Sequence, residues 1–266
     1  MRVWIHNNFK DLSRSVAQQL NQKLSAAGVI ITSQKPDLVI TVGGDGTFLS
    51  TFHQFSDQLQ NLRFVGIHTG HLGFYTDWQD SEIDELVNGI LSGQQTTIDF
   101  PLLSVKITYA NGQQKKLLSL NESQLKRVFQ TMRADILIDG QFFERFRGDG
   151  ISVSTPTGST AYAKSIGGAI IDPTLEVMQF NEVAPINNRV YRTVNSPLIL
   201  PKGQLVTVVP QTASDYVMTA DNLAYDKNKI VKAEYQIAAE KIHLANFRPK
   251  NFWQRVRGAF LTDGTR

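Results

Sequence analysis

Along the first hundred residues, apolar positions recur in two alternating periods. "RVWIH" at 2–6 is a β-branched and aromatic run, and after it Leu12, Val16, Leu20 and Leu24 follow at helical spacing until Gly28 supplies a stop. "VIIT", "LVITV" and "RFVGI" read as further strands, with "FLSTFHQF" as a helix between the last two. "SEIDELVNGILSG" places Ile83, Leu86, Val87, Ile90 and Leu91 on one helical face, with acids early and Gly93 at its end. Strands separated by helices need crossover connections. The pattern therefore predicts a Rossmann-like α/β domain with a mainly parallel sheet over residues 1–98.

After Pro101 the period shortens to two. "LLSVKITY" alternates, and Asn111-Gly112 and Asp139-Gly140 each offer a hairpin turn. "PLILPKGQLVTVVP", "DYVMTAD" and "KIVKAEYQIAAEKIHLANF" are again strand-like. A mainly β domain is expected over 99–245, interrupted by one glycine- and hydroxyl-rich stretch from 148 to 173. In the tail, 246–266, Phe252, Trp253, Val256 and Phe260 suit a short amphipathic helix that packs back on the first domain.

Composition narrows the function classes. With 266 residues, 41% hydrophobic and 19% charged, the chain has enough apolar material for two cores. It has no cysteine, which excludes a disulfide framework, thiolate metal sites and a cysteine nucleophile, and fits a reducing cytosol. The opening "MRVWIHNNFK" lacks the apolar core of a signal peptide, and no apolar run approaches the ~20 residues that span a bilayer. A soluble, cytoplasmic protein with no membrane partner is expected. The net charge of +3, with basic residues scattered except in the tail "NFRPKNFWQRVRGAF", argues against nucleic acid and suits a site that handles phosphates.

Three constellations carry chemistry. In "LVITVGGDGTFLS", Gly43, Gly44, Gly46 and Thr47 stand where a strand gives way to a helix, the geometry in which backbone N–H groups and a helix N-terminus receive phosphate. The loop lacks the P-loop lysine and does not satisfy G-x-G-x-x-G. Asp45 sits where a phosphate is expected, and an anion there serves to hold a metal or to accept a proton from a nucleophile. The competing reading is a glycine turn whose aspartate caps the next helix.

The second constellation is "RGDGISVSTPTGSTAYAKSIGGAIIDP", 147–173, where hydroxyls crowd beside Gly158 and Tyr162 as in a loop wrapped around a polar ligand. In the third, "SLNES", Asn121 offers donor and acceptor to an adenine edge and Glu122 an acceptor to ribose hydroxyls. Two other features carry little. His68 and His71 lack any partner at metal-ligand spacing, and Ser159 in "TGSTA" is not the nucleophile elbow of hydrolases.

Together "GGDGT" (43–47), "GIHTGHLGF" (66–74), "NE" (121–122) and "GDGISVSTPTGSTAYAKSIGGAI" (148–170) resemble, in order and spacing, the signature blocks of the NAD kinases across essentially the whole chain. "GGDGT" alone is shared with diacylglycerol, sphingosine and phosphofructo-kinases. The resemblance implies transfer of the γ-phosphate of ATP, or of a polyphosphate, to the 2′-hydroxyl of the adenosine ribose of NAD. It further implies Asp45 as proton acceptor with Gly46 beside it, and Asn121 and Glu122 near the adenosine. Thr157, Thr160, Ala161, Tyr162 and Ser165 fall in the block that contacts the dinucleotide. Phe74, Tyr75, Arg147, Asp149, Ala184, Ile186 and Asp221 fall at further lining positions, and Asn222 lies where family members vary.

A divalent metal, magnesium, is implied, bound mainly through nucleotide phosphates with no dedicated protein site. A homodimer or homotetramer with shared sites is also implied. A lipid kinase of the diacylglycerol or sphingosine type, or a dinucleotide sensor without catalysis, are the alternatives.

Overall fold

The computed structural model describes residues 1–93, 95–127, 129–212, 216–225, 229–248 and 251–261. The chain divides into two compact units, the first made of Met1–Phe100 and Glu240–Arg266, the second of Pro101–Ala239.

The first unit carries β1 (Arg2–Asn7), α1 (Asp11–Ala26), β2 (Ile30–Ile31), β3 (Leu38–Val42), α2 (Asp45–Gln54), β4 (Arg63–His68), β5 (Trp78–Gln79) and α3 (Ile83–Ser92). Its pairings are all parallel in the order β2-β1-β3-β4, with Val3 opposite Leu38 and Leu38 opposite Arg63. The outer edge of β4 is shared: Ile67 and His68 pair with β5, while Arg63 and Phe64 pair with His243 and Leu244 of a strand that returns late in the chain.

Helices cover both faces of this sheet. Val16, Leu20 and Leu24 of α1 and Ile83, Leu86, Val87 and Ile90 of α3 bury against Val3, Leu38, Ile40, Val65 and Ile67. On the other face Phe48 of α2 packs on Phe64 and stacks on Tyr75, ring centroids 5.9 and 5.0 Å apart. Double coverage explains why all five residues of β3 are buried and read as a continuous apolar run.

Several expectations need correction here. Leu12 and Leu91 are exposed, each one position beyond the face its helix buries. "VIIT" forms only a two-residue strand at the sheet edge. The second helix begins at Asp45, earlier than its apolar residues suggest. Gly28 and Gly93 do end their helices, with φ of +80° and +68°.

The second unit is mainly β. It comprises most of β6 (Thr96–Tyr109), then β7 (Gln114–Ser119), β8 (Glu122–Arg127), β9 (Met132–Ile138), β10 (Gln141–Gly148), β11 (Gly150–Ser154), α4 (Tyr162–Ser165), β12 (Val177–Val183), β13 (Leu198–Pro201), β14 (Val206–Pro210), β15 (Tyr216–Ala220) and β16 (Leu223–Tyr225). The long strand β17 (Ile230–Asn246) then carries the chain back into the first unit. Asp139 and Gly140 both have positive φ, as a two-residue type I′ hairpin turn requires, and join β9 to β10. Asn111-Gly112 joins β6 to β7.

One antiparallel sheet of this unit runs β13-β12-β11-β8-β15-β16. Its inner residues Leu125, Ile151, Val153, Phe180 and Met218 close a core with Ala134, Ile136, Phe146, Val208 and Tyr235 of the opposing strands. The stretch from 148 to 173 is therefore less of an interruption than its composition suggests. Ile151-Ser152-Val153-Ser154 is a central strand, and its serines are fully buried. Strand β12, Val177–Val183, is an addition to the sequence reading.

The tail helix α5 (Phe252–Phe260) lies within the first unit and sets Phe252 and Phe260 beside Phe74, with ring centroids 6.4 and 5.9 Å apart. Asn251 caps it by accepting from Gln254 N at 3.1 Å. Residues 249–250 and 262–266 of the tail lie outside the described residues. No described helix is long and apolar enough to cross a membrane.

Candidate functional site

In the first unit, successive strands are added on opposite sides of β1. The chain runs from β1 out to β2, then crosses back to β3 and β4, so the order reverses between β1 and β3. Open α/β sheets bind ligands outside the carboxyl ends of the strands at such a reversal. Asn7 ends β1 there with Asn8 after it, and the glycine loop follows β3.

The glycines of the loop differ in what they serve. Gly43 has a φ of +155°, donates to Ile67 O at 2.9 Å, and leaves no space for a Cβ because the Thr47 side chain fills it. At Gly44 and Gly46 an added Cβ meets nothing within 4 Å. Gly43 is thus demanded by the fold of the loop, whereas no contact among the described residues demands glycine at the other two positions.

Asp45 occupies the first turn of α2, whose N-cap is Gly44, and no side chain caps that helix. The aspartate does not cap its own helix. Its carboxylate turns to the segment after β4, accepting from Phe74 N at 2.7 Å and Tyr75 N at 3.0 Å. Gly73 allows this approach, since a Cβ there would coincide with the Asp45 carboxylate. The first unit therefore brings together Gly43, Gly44, Asp45, Gly46, Thr47, Phe74 and Tyr75. Gly73 is a participant that the sequence reading passed over, although "HLGF" showed a glycine in a matching block.

In the second unit the predicted residues form two clusters at opposite ends of β11. At one end Ser154 pairs with Glu122. Here Asp221, at a φ of +52°, accepts from the N–H groups of Leu120 (2.9 Å), Asn121 (2.7 Å) and Glu122 (3.2 Å), and donates its own N–H to Glu122 O at 2.8 Å. Gly158 packs directly on the Asn121 backbone, where no Cβ fits.

The hydroxyls of this block serve the turn itself. Thr157 Oγ1 donates to Leu120 O at 2.9 Å, Thr160 Oγ1 to Thr157 O at 3.1 Å, and Ser159 Oγ accepts from Ile171 N at 2.9 Å. Thr157 ties the segment to Leu120, while Thr160 and Ser159 close it on itself and on Ile171. Glu122 is buried, and its carboxyl is pushed up to about 7, chiefly by burial and then by the Asp221 carboxylate. Its Oε2 has no hydrogen-bond partner among the described residues.

After the turn come Ala161 and Tyr162, both half-buried, and Ser165, exposed at the end of α4. Lys126 Nζ donates to Tyr162 Oη at 2.9 Å and lies 4.2 Å from its ring centroid. This lysine was not singled out from sequence, where it is one of many scattered cations.

At the other end of β11, Gly150 pairs with both Lys126 and Val183. Asp149 N donates to Val183 O at 2.9 Å and Ile186 N to Arg147 O at 2.7 Å, gathering Arg147, Asp149, Ala184 and Ile186. Ala184 adopts a φ of +48°. Four residue steps separate the two clusters, a span of roughly 13 Å along the strand. Asn222 is exposed.

His68 bonds through Nδ1 to Gly70 O at 2.9 Å, and His71 is exposed. Among the described residues, no group of three or more His, Asp or Glu side chains is placed to hold a metal ion.

Residues 6–95 match the family model described as the ATP-NAD kinase N-terminal domain, and residues 120–239 match the one described as the ATP-NAD kinase C-terminal domain. The chain belongs to the NAD kinase family. It is 49% identical over 262 residues to an NAD kinase of Latilactobacillus sakei and 48% identical over 261 residues to one of Lacticaseibacillus paracasei, with 98% of each chain covered in both cases. Among solved structures it is similar to yeast NADH kinase complexed with NADH, at a TM-score of 0.84 and 20% identity, covering 100% of this chain and 89% of that one. An NAD kinase from Archaeoglobus fulgidus in complex with ATP gives 0.76 at 21% identity, covering 97% and 98%. The two NAD kinase domain models thus fall one on each compact unit, and the glycine loop and the Asn121-Glu122 corner each lie inside a matched segment.

Proposed function

We propose that the chain transfers the terminal phosphoryl group of ATP to the 2′-hydroxyl of the adenosine ribose of NAD, giving NADP and ADP. The observation that carries the reading is the carboxylate of Asp45, held by two backbone N–H groups and flanked by Gly44 and Gly46, which no contact among the described residues requires to be glycine. The 2′-hydroxyl is a poor nucleophile while protonated. As its oxygen bonds to the γ-phosphorus and the bond from that phosphorus to the β-phosphate bridging oxygen breaks, its proton passes to Asp45. The electron pair of the broken bond leaves with ADP.

The glycine loop, Gly43 to Thr47, receives phosphates. Glu122 accepts from a ribose hydroxyl through the oxygen the fold leaves without a partner, Asn121 reads the adenosine, and Thr157 to Ser165, with Tyr162, line the dinucleotide. Arg147, Asp149, Ala184 and Ile186 lie at the other end of β11, toward the nicotinamide half. Asp221 acts through the backbone it holds, and Phe74 and Tyr75 through the Asp45 carboxylate. Positioning and charge neutralisation supply most of the acceleration.

The described residues offer no cluster that fits a metal, so no step is assigned to a protein-held ion. A divalent ion such as magnesium, bound through the nucleotide phosphates, would supply neutralisation of their charge. Inorganic polyphosphate is a second donor to be tried. A homodimer or homotetramer assembled through the β unit, and a cytoplasmic setting in keeping with the absence of cysteine, complete the proposal.

Incubation of the purified chain with NAD, ATP and magnesium should yield NADP. No product above background, with ATP or polyphosphate, would overturn the reading. The lipid-kinase alternative is disfavoured by the two NAD kinase domain models, one matched on each unit.

A further inference from the structure

We infer that Arg255, on helix α5, is a positioning residue for phosphoryl transfer: it holds the segment 73–77 in the conformation whose N–H groups grip Asp45. The inference rests on the function proposed above. Three contacts link the tail to the 73–77 segment. Arg255 Nη1 donates to Phe74 O at 2.9 Å and to Gly73 O at 3.4 Å, while its Nη2 pairs with the Asp77 carboxylate. The same segment presents Phe74 N and Tyr75 N to Asp45. Each peptide group around Phe74 therefore works in two directions, with carbonyls taken by Arg255 and N–H groups given to Asp45.

The chemistry of this contact is specific to arginine. A guanidinium is a planar fork whose separate nitrogens satisfy carbonyls and a carboxylate at once, which a single ammonium does not reproduce. The site is also sheltered: the Arg255 and Asp77 side chains are only 16% and 5% exposed, and burial lowers the Arg255 pKa. A charge is kept in such a place only when paired and hydrogen-bonded.

A second arginine supports the far end of the segment. Arg248 donates to Asp77 O and to both carboxylate oxygens of Glu82, and lies 4.1 Å from the Trp78 ring centroid. Gly73 completes the arrangement. A loop pressed so closely on the Asp45 carboxylate has no slack, and a displacement of about 1 Å at a reacting group costs on the order of 100-fold in rate.

The test is Arg255→Lys in the full-length chain, compared with wild type for NADP formation. The expected result is a kcat lower by roughly 10- to 100-fold with the KM for NAD changed less than threefold. Amide exchange at Phe74 and Tyr75 should quicken while the strands of the first unit keep their protection. In an Asp45→Asn background the same substitution should change the residual rate by less than about twofold, because the two residues act as a unit. Trp253→Ala, on the exposed side of the same helix, should leave kcat within about twofold. If Arg255→Lys fails to fold, Asp77→Asn removes the charge partner and is expected to show the same selective loss of kcat.

An active wild type whose kcat survives Arg255→Lys within twofold overturns this inference alone. So does an equal, multiplicative loss in the Asp45→Asn background. A wild type that makes no NADP overturns the function reading, and the catalytic part of this inference with it.

Discussion

The Asp221 carboxylate lies 2.7 Å from the backbone nitrogen of Asn121, and with its bonds to Leu120 N and Glu122 N it satisfies three consecutive peptide groups. Asp221 is thereby an organiser of the Asn121-Glu122 corner. Asp221→Ala would strand these N–H groups and place alanine at a φ of +52°. The expected cost is on the order of 3 kcal/mol in denaturant unfolding. Asparagine, which tolerates that backbone region and keeps one acceptor, should cost clearly less. A loss below about 1 kcal/mol for alanine would contradict this role.

Asp45→Asn tests the base directly. Removing a general base lowers rate by roughly 100- to 10,000-fold. NAD affinity, measured by titration, should stay within about threefold. An equal loss of affinity would point to binding instead of proton transfer.

On the proposed function, Glu122 should give the binding of NAD a pH dependence. Burial, and then the Asp221 carboxylate, raise its carboxyl from 4.5 to about 7. In the free chain the sign is unfavourable for the ion: its contribution to stability is fully present below the unfolded value and is lost as pH rises through about 7. A ribose hydroxyl donated to Oε2 favours the ionised form, so binding at pH 6 should expel a proton. Affinity should climb up to about tenfold per pH unit below 7 and level off above it. Calorimetry in two buffers of different ionisation enthalpy counts that proton, and Glu122→Gln should abolish both the release and the slope.

Two glycine substitutions should behave oppositely. Gly46→Ala meets no atom of the chain and lies in the first turn of α2, so stability should be unchanged or rise by about 0.5 kcal/mol while NADP formation falls. Gly158→Ala collides with the Asn121 backbone. It should lower the melting temperature measurably, with activity lost through the fold. Equal thermal effects in the two variants would refute the distinction.

The sequence made the first unit legible because its signals are local. The runs around Val39 and Val65, the helical stripe of Val16, Leu20 and Leu24, and the stops at Gly28 and Gly93 each depend on near neighbours. The hairpin at Asp139-Gly140 was equally plain. What escaped depends on distant partners. Ser152 and Ser154 resemble ligand donors until β8 and β12 close on either side and bury them. Thr157 reads in sequence as part of a polar loop, and only the fold shows that its hydroxyl donates to Leu120 O. Asp45 resembles a helix cap in sequence, and only the fold shows that its oxygens face Phe74 and Tyr75. Arg255 had no local mark at all, since its partners lie about 180 residues earlier.

The first unit is discontinuous, and this bears on the order of events in synthesis. Its opening hundred residues leave the ribosome with the outer neighbour of β4 and the guanidinium for the 73–77 segment still to come. The entire second unit is made before either arrives. A chain halted after Ala239 would carry the glycine loop and Asp45 without the arginine that steadies the grip on its carboxylate, so a ribosome that stalls late leaves a product with most of the mass and little of the turnover.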